Sequence, residues 1–246
     1  MFYERAGDGE LELLFVHGWC CDRETFRPQL EHFRRTHTVT ALDLRGCGES
    51  DRPDSGYAIA DFADDVAQLC AAVGIRKPVV VGHSLGGMIA VELAARHSSL
   101  AAALVLVDPG PIDPLPKTVE FFREFAAQLA GPDGENVRRL YVQDMGARDE
   151  ELATWIADLM CRVPLPIAAA VIEGVTAWNG VDALALCDVP TLLLRAAVVP
   201  DSDVVRLRAI KPDLYVGVTV GAGHFIQLEV PDQVNAMIER FLECAA

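Results

Sequence analysis

Chemistry concentrates in this chain at Gly82-His83-Ser84-Leu85-Gly86. A serine hydroxyl is a weak nucleophile until it is presented rigidly, with a base on one side and hydrogen-bond donors on the other. Here the β-branched run Val79-Val80-Val81 precedes the serine and a helical pattern over residues 88–95 follows it, so the serine falls on a sharp strand-to-helix turn. Such a turn strains the serine backbone and leaves room only for very small residues two positions before and after it, which Gly82 and Gly86 supply. The amide of Leu85, at the start of the helix, is then aimed where an oxyanion would form.

A nucleophile of this kind needs a base and a second oxyanion donor. Of the six histidines (17, 32, 37, 83, 97 and 224), His32, His37 and His97 fall on helical or helix-end stretches and read as solvated. His83 sits next to the serine and packs, hydrogen-bonds or lines a pocket. His224, in Gly221-Ala222-Gly223-His224-Phe225, lies on a glycine-flanked loop after the last apolar run and is the expected general base. The second donor is expected at Val16-His17-Gly18-Trp19. A Gly18 at positive φ would turn the Trp19 amide inward. By itself His-Gly is a strand-ending turn; paired with the serine turn it supplies a donor whose loss costs roughly 2.7–4 kcal/mol of transition-state stabilisation.

The elements that must position these groups follow from periodicity. Short apolar runs at 11–16, 38–44, 79–81, 102–107, 190–195 and 214–220 read as buried strands, with a short edge strand around 2–5. Helical patterns at 25–35, 62–73, 88–95 and from 231 alternate with them. Phe62, Val66, Leu69, Cys70 and Val73 make one apolar face, which Gly74 closes. Strands without polar alternation, interleaved with helices, imply a mostly parallel sheet covered on both faces. Catalytic groups in such sheets gather past the carboxyl ends of the strands, where Trp19, Ser84 and Asp108 all fall. Between 112 and 186 the strand rhythm stops, and helices are expected at 118–129, 135–144, 150–162 and 167–178, broken at Gly131-Pro132, Gly146 and Pro164/Pro166. The organisation expected is a core of residues 1–111 and 187–246 with a helical cap of 112–186 inserted in it. Phe122, Phe125, Trp155 and Trp178 of the cap, with His83 and Phe225 of the core, are candidate pocket residues. Most cap aromatics at helical spacing, including Phe121, Leu129 and Met160, should serve cap packing, with two or three touching ligand.

Bulk properties narrow the class. At 246 residues the chain can bury a sizeable core without disulfides. Its formal charge of −15 argues against nucleic acid and anionic membrane surfaces. No apolar run approaches the roughly 18–20 residues that span a bilayer, and the first residues lack the pattern of a secretory signal. The seven cysteines (20, 21, 47, 70, 161, 187 and 244) have neither zinc-site nor disulfide spacing. Reduced thiols in a cytoplasmic protein are expected. Cys20 falls beside the expected oxyanion loop, where a reactive thiol competes with the ordinary inert buried one. The run from Asp43 to Ser50 is not a dinucleotide fingerprint, because Asp51 stands where a third glycine is required; it reads as a tight loop held by Asp43 and Arg45. No metal and no cofactor is expected, and the partner is a small-molecule substrate, with the protein a monomer or homodimer.

In order along the chain, Val16-His17-Gly18-Trp19, Asp43-Leu44-Arg45-Gly46-Cys47-Gly48-Glu49-Ser50, Gly82-His83-Ser84-Leu85-Gly86-Gly87 and Gly221-Ala222-Gly223-His224-Phe225 resemble the α/β-hydrolase superfamily. The resemblance covers essentially the whole chain, with an N-terminus shorter by one or two edge strands. It implies the α/β-hydrolase fold and the chain order serine, acid, histidine. Most members carry the acid after the strand corresponding to 191–195, in a Gly-x-x-Asp loop; here that loop is Ala196-Ala197-Val198-Val199, with Asp201 and Asp203 following late. A minority carry it after the preceding strand, at Asp108 here. Asp108 is favoured, then Asp201, then Asp203. The activity expected is a serine hydrolase of a small, mainly apolar carboxylic ester or lactone working through an acyl-enzyme. The alternatives are a cofactor-independent ring-cleaving dioxygenase, which Val16-His17-Gly18-Trp19-Cys20 also resembles, or a carbon–carbon bond hydrolase. A fold that hosts many chemistries does not fix the substrate.

Overall fold

The computed structural model describes residues 1–145, 149–197 and 204–245. The chain runs β1 (Tyr3–Ala6), β2 (Glu12–Val16), α1 (Arg27–Phe33), β3 (Thr38–Leu42), α2 (Ile59–Val73), β4 (Val79–His83), α3 (Leu85–Arg96) and β5 (Ala103–Val107). The helices α4 (Pro116–Leu129), α5 (Gly134–Asp144), α6 (Glu150–Met160), α7 (Leu165–Ala177) and α8 (Gly180–Ala185) then precede β6 (Thr191–Ala196). The chain ends with α9 (Val204–Ile210), β7 (Tyr215–Thr219), α10 (Ile226–Glu229) and α11 (Pro231–Ala245).

The strands form one sheet in the order β1-β3-β2-β4-β5-β6-β7, with β1 antiparallel to β3 and every other pairing parallel. The apolar runs lack polar alternation because both faces are covered. Successive strand residues point to opposite faces, so Leu14, Val16, Val80, Leu104 and Leu106 pack with α2 and α3 on one side. Leu13, Phe15, Val79, Val81, Val105 and Val107 face Leu30 and Phe33 of α1 and Val234, Ile238 and Phe241 of α11 on the other. Among the described residues, no single helix is long and apolar enough to cross a membrane.

Several local readings change. The helix expected over 25–35 is divided: a 3-10 turn at Arg23–Phe26, capped by the Asp22 carboxylate on the Glu24 amide, gives way to α1 with a proline in its first turn. The helix expected from 167 starts at Leu165, because Pro166 sits in its first turn, where a missing N–H costs nothing. The strand expected to reach residue 44 ends at Leu42, and α8, capped by Asn179, is an addition. It packs on α3 of the core. The loop after β3 is held by Asp43, which accepts from the Arg23 and Glu49 amides at 2.9 Å and from the Arg23 guanidinium at 2.5 Å. Arg45 ties the same loop to Asp65 of α2 at 2.6 Å.

The helices between β5 and β6 are joined by Arg138 of α5, whose side chain is 2% exposed. Its guanidinium donates to the carbonyls of Met160 (3.2 Å), Cys161 (3.1 Å) and Val163 (2.5 Å) and pairs with Glu135. Helix α4 lies along α7. The Trp178 indole at the end of α7 donates to Glu92 of α3 at 2.8 Å.

Candidate active site

Ser84 stands between β4 and α3 at φ 51°, ψ −116°. A non-glycine residue there carries about 1–3 kcal/mol of backbone strain and persists only where its surroundings over-determine it. They do so here. The Ser84 amide donates to Val107 O at 3.1 Å, and its carbonyl accepts from Gly87 at 2.9 Å and Gly110 at 3.0 Å. A Cβ on Gly82 would lie 2.2 Å from the Gly86 carbonyl oxygen, and one on Gly86 would lie 2.0 Å from that of Val16. Both glycines are therefore set by crowding. Leu85 opens α3, so its amide has no acceptor within the helix and lies at the positive end of the helix dipole.

The positive φ expected at Gly18 is not found; Cys20 takes the left-handed conformation instead, at φ 55°. Gly18 is required because a Cβ there would come 2.9 Å from His83 Nδ1 and 3.2 Å from Ser84 Cβ. Its carbonyl oxygen accepts from the Cys21 amide at 3.2 Å and from His17 Nδ1 at 2.8 Å. In a planar trans peptide the C=O and the following N–H point in opposite directions, so fixing the Gly18 carbonyl fixes the Trp19 amide. His17 Nε2 in turn accepts from the Leu44 amide at 2.9 Å. Burial lowers the His17 pKa, keeping the imidazole neutral with one nitrogen donating and the other accepting. The Trp19 indole donates to the Ala168 carbonyl of α7 at 3.0 Å.

His224 lies on the loop after β7, 7% exposed. Its Nδ1 is 2.7 Å from Asp108 Oδ2. Donation to a carboxylate places the proton on Nδ1 and leaves the lone pair on Nε2. Asp108 follows β5 at φ 40°. Its amide donates to Leu194 O at 2.6 Å, and its Oδ1 accepts from the Ala196 amide at 2.7 Å, so β6 aims the carboxylate. The His224 backbone is held from both sides. Its amide donates to Met145 O, just past α5, at 3.0 Å, and its carbonyl accepts from His83 Nε2 at 3.0 Å. His83 is fully buried, and burial followed by the neighbouring His224 pushes its pKa well below the usual imidazole value. Asp201 and Asp203 lie outside the described residues.

Ser84 and His224 open on a chamber of about 40 Å³ lined also by Trp19, Leu85, Met88, Ile172 and Val175. Pro111, Phe122, Tyr141, Met145 and His224 line both this chamber and a second one of about 540 Å³. The second adds Leu115, Phe121 and a charged rim of Asp113, Lys117, Asp144 and Arg206, with Arg206 paired to Asp113 at 2.6 Å. Among the described residues, no three His, Cys, Asp or Glu side chains converge as a metal site requires.

The family model described as the alpha/beta hydrolase fold matches residues 13–231. The chain belongs to the alpha/beta hydrolase fold family. It is 28% identical to 2-(acetamidomethylene)succinate hydrolase of Mesorhizobium japonicum, over 96% of this chain and 89% of that protein. It is 29% identical to N-formylmaleamate deformylase of Pseudomonas putida, over 98% and 92%. A thermophilic esterase from Thermogutta terrifontis superposes with a TM-score of 0.86 at 26% identity, covering 99% of this chain and 93% of that one.

Within this hydrolase the structure brings Ser84, His224, Asp108, Trp19 and Leu85 to the carboxyl ends of β2, β4, β5 and β7. Of the pocket candidates, Phe122 lines both chambers. The others do not line them. His83 and Phe225 are buried behind the site with ring centroids 5.0 Å apart. Phe125 packs edge-on under Trp19 at 5.6 Å. Trp155 is 37% exposed on the surface, and Trp178 is turned toward Glu92 and lines a separate groove. Cys20 is 3% exposed, and burial pushes its thiol pKa well up, the environment of an inert thiol. Tyr141 and Met145, Ile172 and Val175, and Met88 were missed. The first pair stands at i, i+4 and the second at i, i+3, spacings that share a helix face but do not say which face meets a chamber.

Proposed function

We propose that this hydrolase cleaves a small carboxylic ester or lactone through an acyl-enzyme on Ser84. Ser84 Oγ attacks the carbonyl carbon while His224 Nε2 takes its proton, and the oxyanion is held by the Trp19 and Leu85 amides. Asp108 keeps the histidine in the required tautomer and stabilises the imidazolium as it forms. Collapse expels the leaving group, which His224 protonates. Water, deprotonated by the same nitrogen, then attacks the acyl-enzyme and releases the acid and Ser84. The observation that carries the reading is the 2.7 Å contact between Asp108 and His224 beside a chamber lined by Ser84.

A second reading has the same mechanism with nitrogen as the leaving atom. Two relatives aligned over nearly their whole length are named for hydrolysing an acetamido compound and for removing a formyl group from an amide nitrogen. The test is a panel of esters and N-acyl compounds on wild type and Ser84→Ala, with fluorophosphonate labelling. Loss of both turnover and label in Ser84→Ala is the expected result. Turnover that survives the substitution and consumes oxygen would replace the reading with ring-cleaving dioxygenase chemistry.

A further inference from the structure

We infer that the acyl group accepted by this hydrolase is limited to one or two carbons, formyl or acetyl, while the larger and more variable part of the substrate is its leaving group. The inference rests on the serine-hydrolase reading and narrows it. The acyl group is the part that stays on Ser84 after the first step, so it must fit where Ser84 is. That chamber measures about 40 Å³. A cavity holding one water needs at least about 10–15 Å³, so this one admits two or three heavy atoms, the size of an acetyl group.

On the side of α3 and α7 the chamber ends on packed side chains; on the other it adjoins the larger chamber through Pro111, Phe122, Tyr141, Met145 and His224. Met88 of α3 is 1% exposed and Ile172 of α7 is 4% exposed, with Val175 one turn further along α7. Gly110, which also lines the chamber, packs so closely on Met88 that an added carbon would come 2.7 Å from its Sδ. A chain of four or more carbons directed that way would have to displace Met88, Ile172 or Val175. The neighbouring chamber is more than ten times larger, at about 540 Å³, and is lined by His224 but not by Ser84. The leaving group is assigned to that side because it departs first, whereas the acyl group stays on Ser84, which lines only the smaller chamber. The bond broken is between the acyl carbon and the leaving oxygen or nitrogen; the proton it gains is the one Ser84 gave up, relayed by His224.

The test measures kcat/KM on p-nitrophenyl formate, acetate, butyrate and hexanoate, and on ethyl, butyl and hexyl acetate. From acetate to hexanoate on the acyl side kcat/KM should fall at least about 100-fold, while ethyl to hexyl acetate on the alcohol side should change it less than about 10-fold. Ile172→Ala and Val175→Ala, made separately, should raise the hexanoate-to-acetate ratio at least about 10-fold, with fluorophosphonate labelling retained as evidence of folded enzyme. Hexanoate within threefold of acetate in the wild type, or tolerance on the acyl side with discrimination on the alcohol side, would overturn the inference. Those outcomes leave the serine mechanism standing. Absence of labelling at Ser84 together with no turnover of any ester or amide would instead remove the reading beneath it.

Discussion

Replacing Asp108 with asparagine tests the assignment of the acid most directly. The asparagine oxygen can keep the 2.7 Å bond that Oδ1 accepts from the Ala196 amide, which leaves the NH2 group facing His224 Nδ1 where Oδ2 stood. An amide N–H cannot face an imidazole N–H, so the ring takes the other tautomer, with its proton on Nε2. Nε2 then has no lone pair with which to take the Ser84 proton. Loss of a triad carboxylate in this way costs about 10⁴ in turnover, or about 5.5 kcal/mol at 1.36 kcal/mol per decade. The fold should stay, because the substitution is nearly isosteric and the Asp108 amide keeps its 2.6 Å bond to Leu194. Steady-state hydrolysis of p-nitrophenyl acetate, the rate of fluorophosphonate labelling and thermal unfolding would be measured together. The two rates should fall in parallel with little change in Tm. A kcat within tenfold of wild type would refute the reasoning and move the acid to Asp201 or Asp203.

Three further outcomes follow from the packing and electrostatics. Gly18→Ala drives a methyl to 2.9 Å from His83 and 3.2 Å from the Ser84 side chain; kcat should drop about 10²-fold, and an unchanged kcat would show that the loop relaxes freely. Arg138→Met leaves the carbonyls of Met160, Cys161 and Val163 without their buried donor. It should cost about 2–4 kcal/mol, seen as a Tm lower by roughly 4–16 °C; no shift would mean the helices hold without it. His17 and His83 are held neutral by burial, with pKa values below the usual 6.5. The unfolded chain takes up those protons near pH 6.5 and the native state does not, so stability is complete above that pH. It falls as the pH drops below it, at up to about 1.4 kcal/mol per pH unit for each histidine. His83→Gln should flatten the Tm-against-pH curve below 6.5; an unchanged slope would show that His83 does not contribute to it.

The serine turn was legible because its requirements are local. Gly82 and Gly86 are dictated by atoms within a few residues or on the adjoining strand end, and that steric demand is written in the residues themselves. Gly18 shows the limit: a glycine serving close approach and a glycine serving positive φ look alike in sequence, and only the contact with His83 and Ser84 tells them apart. Asp108 was one of three candidates in two loops, since a carboxylate after β5 and one after β6 can both reach the loop beyond β7. The chambers beside Ser84 and His224 were the least legible part. Aromatic residues drew attention to Trp155 and Trp178, yet ring size carries no information about which face of a helix is turned inward. Tyr141, Met145, Ile172 and Val175 converge only because α4 lies along α7 and against α5, a tertiary fact with no short-range signature.

The bond from the His224 amide to Met145 O gives a single backbone proton an unusual vantage. It is held by a carbonyl at the end of α5 while its own residue belongs to the loop after β7. That proton exchanges with solvent only when the two segments part. Its hydrogen-exchange rate is therefore a clock for separation of the end of α5 from the loop after β7, readable without substrate and without any label. Exchange slowed by a covalent Ser84 label would show that acylation holds the two segments together.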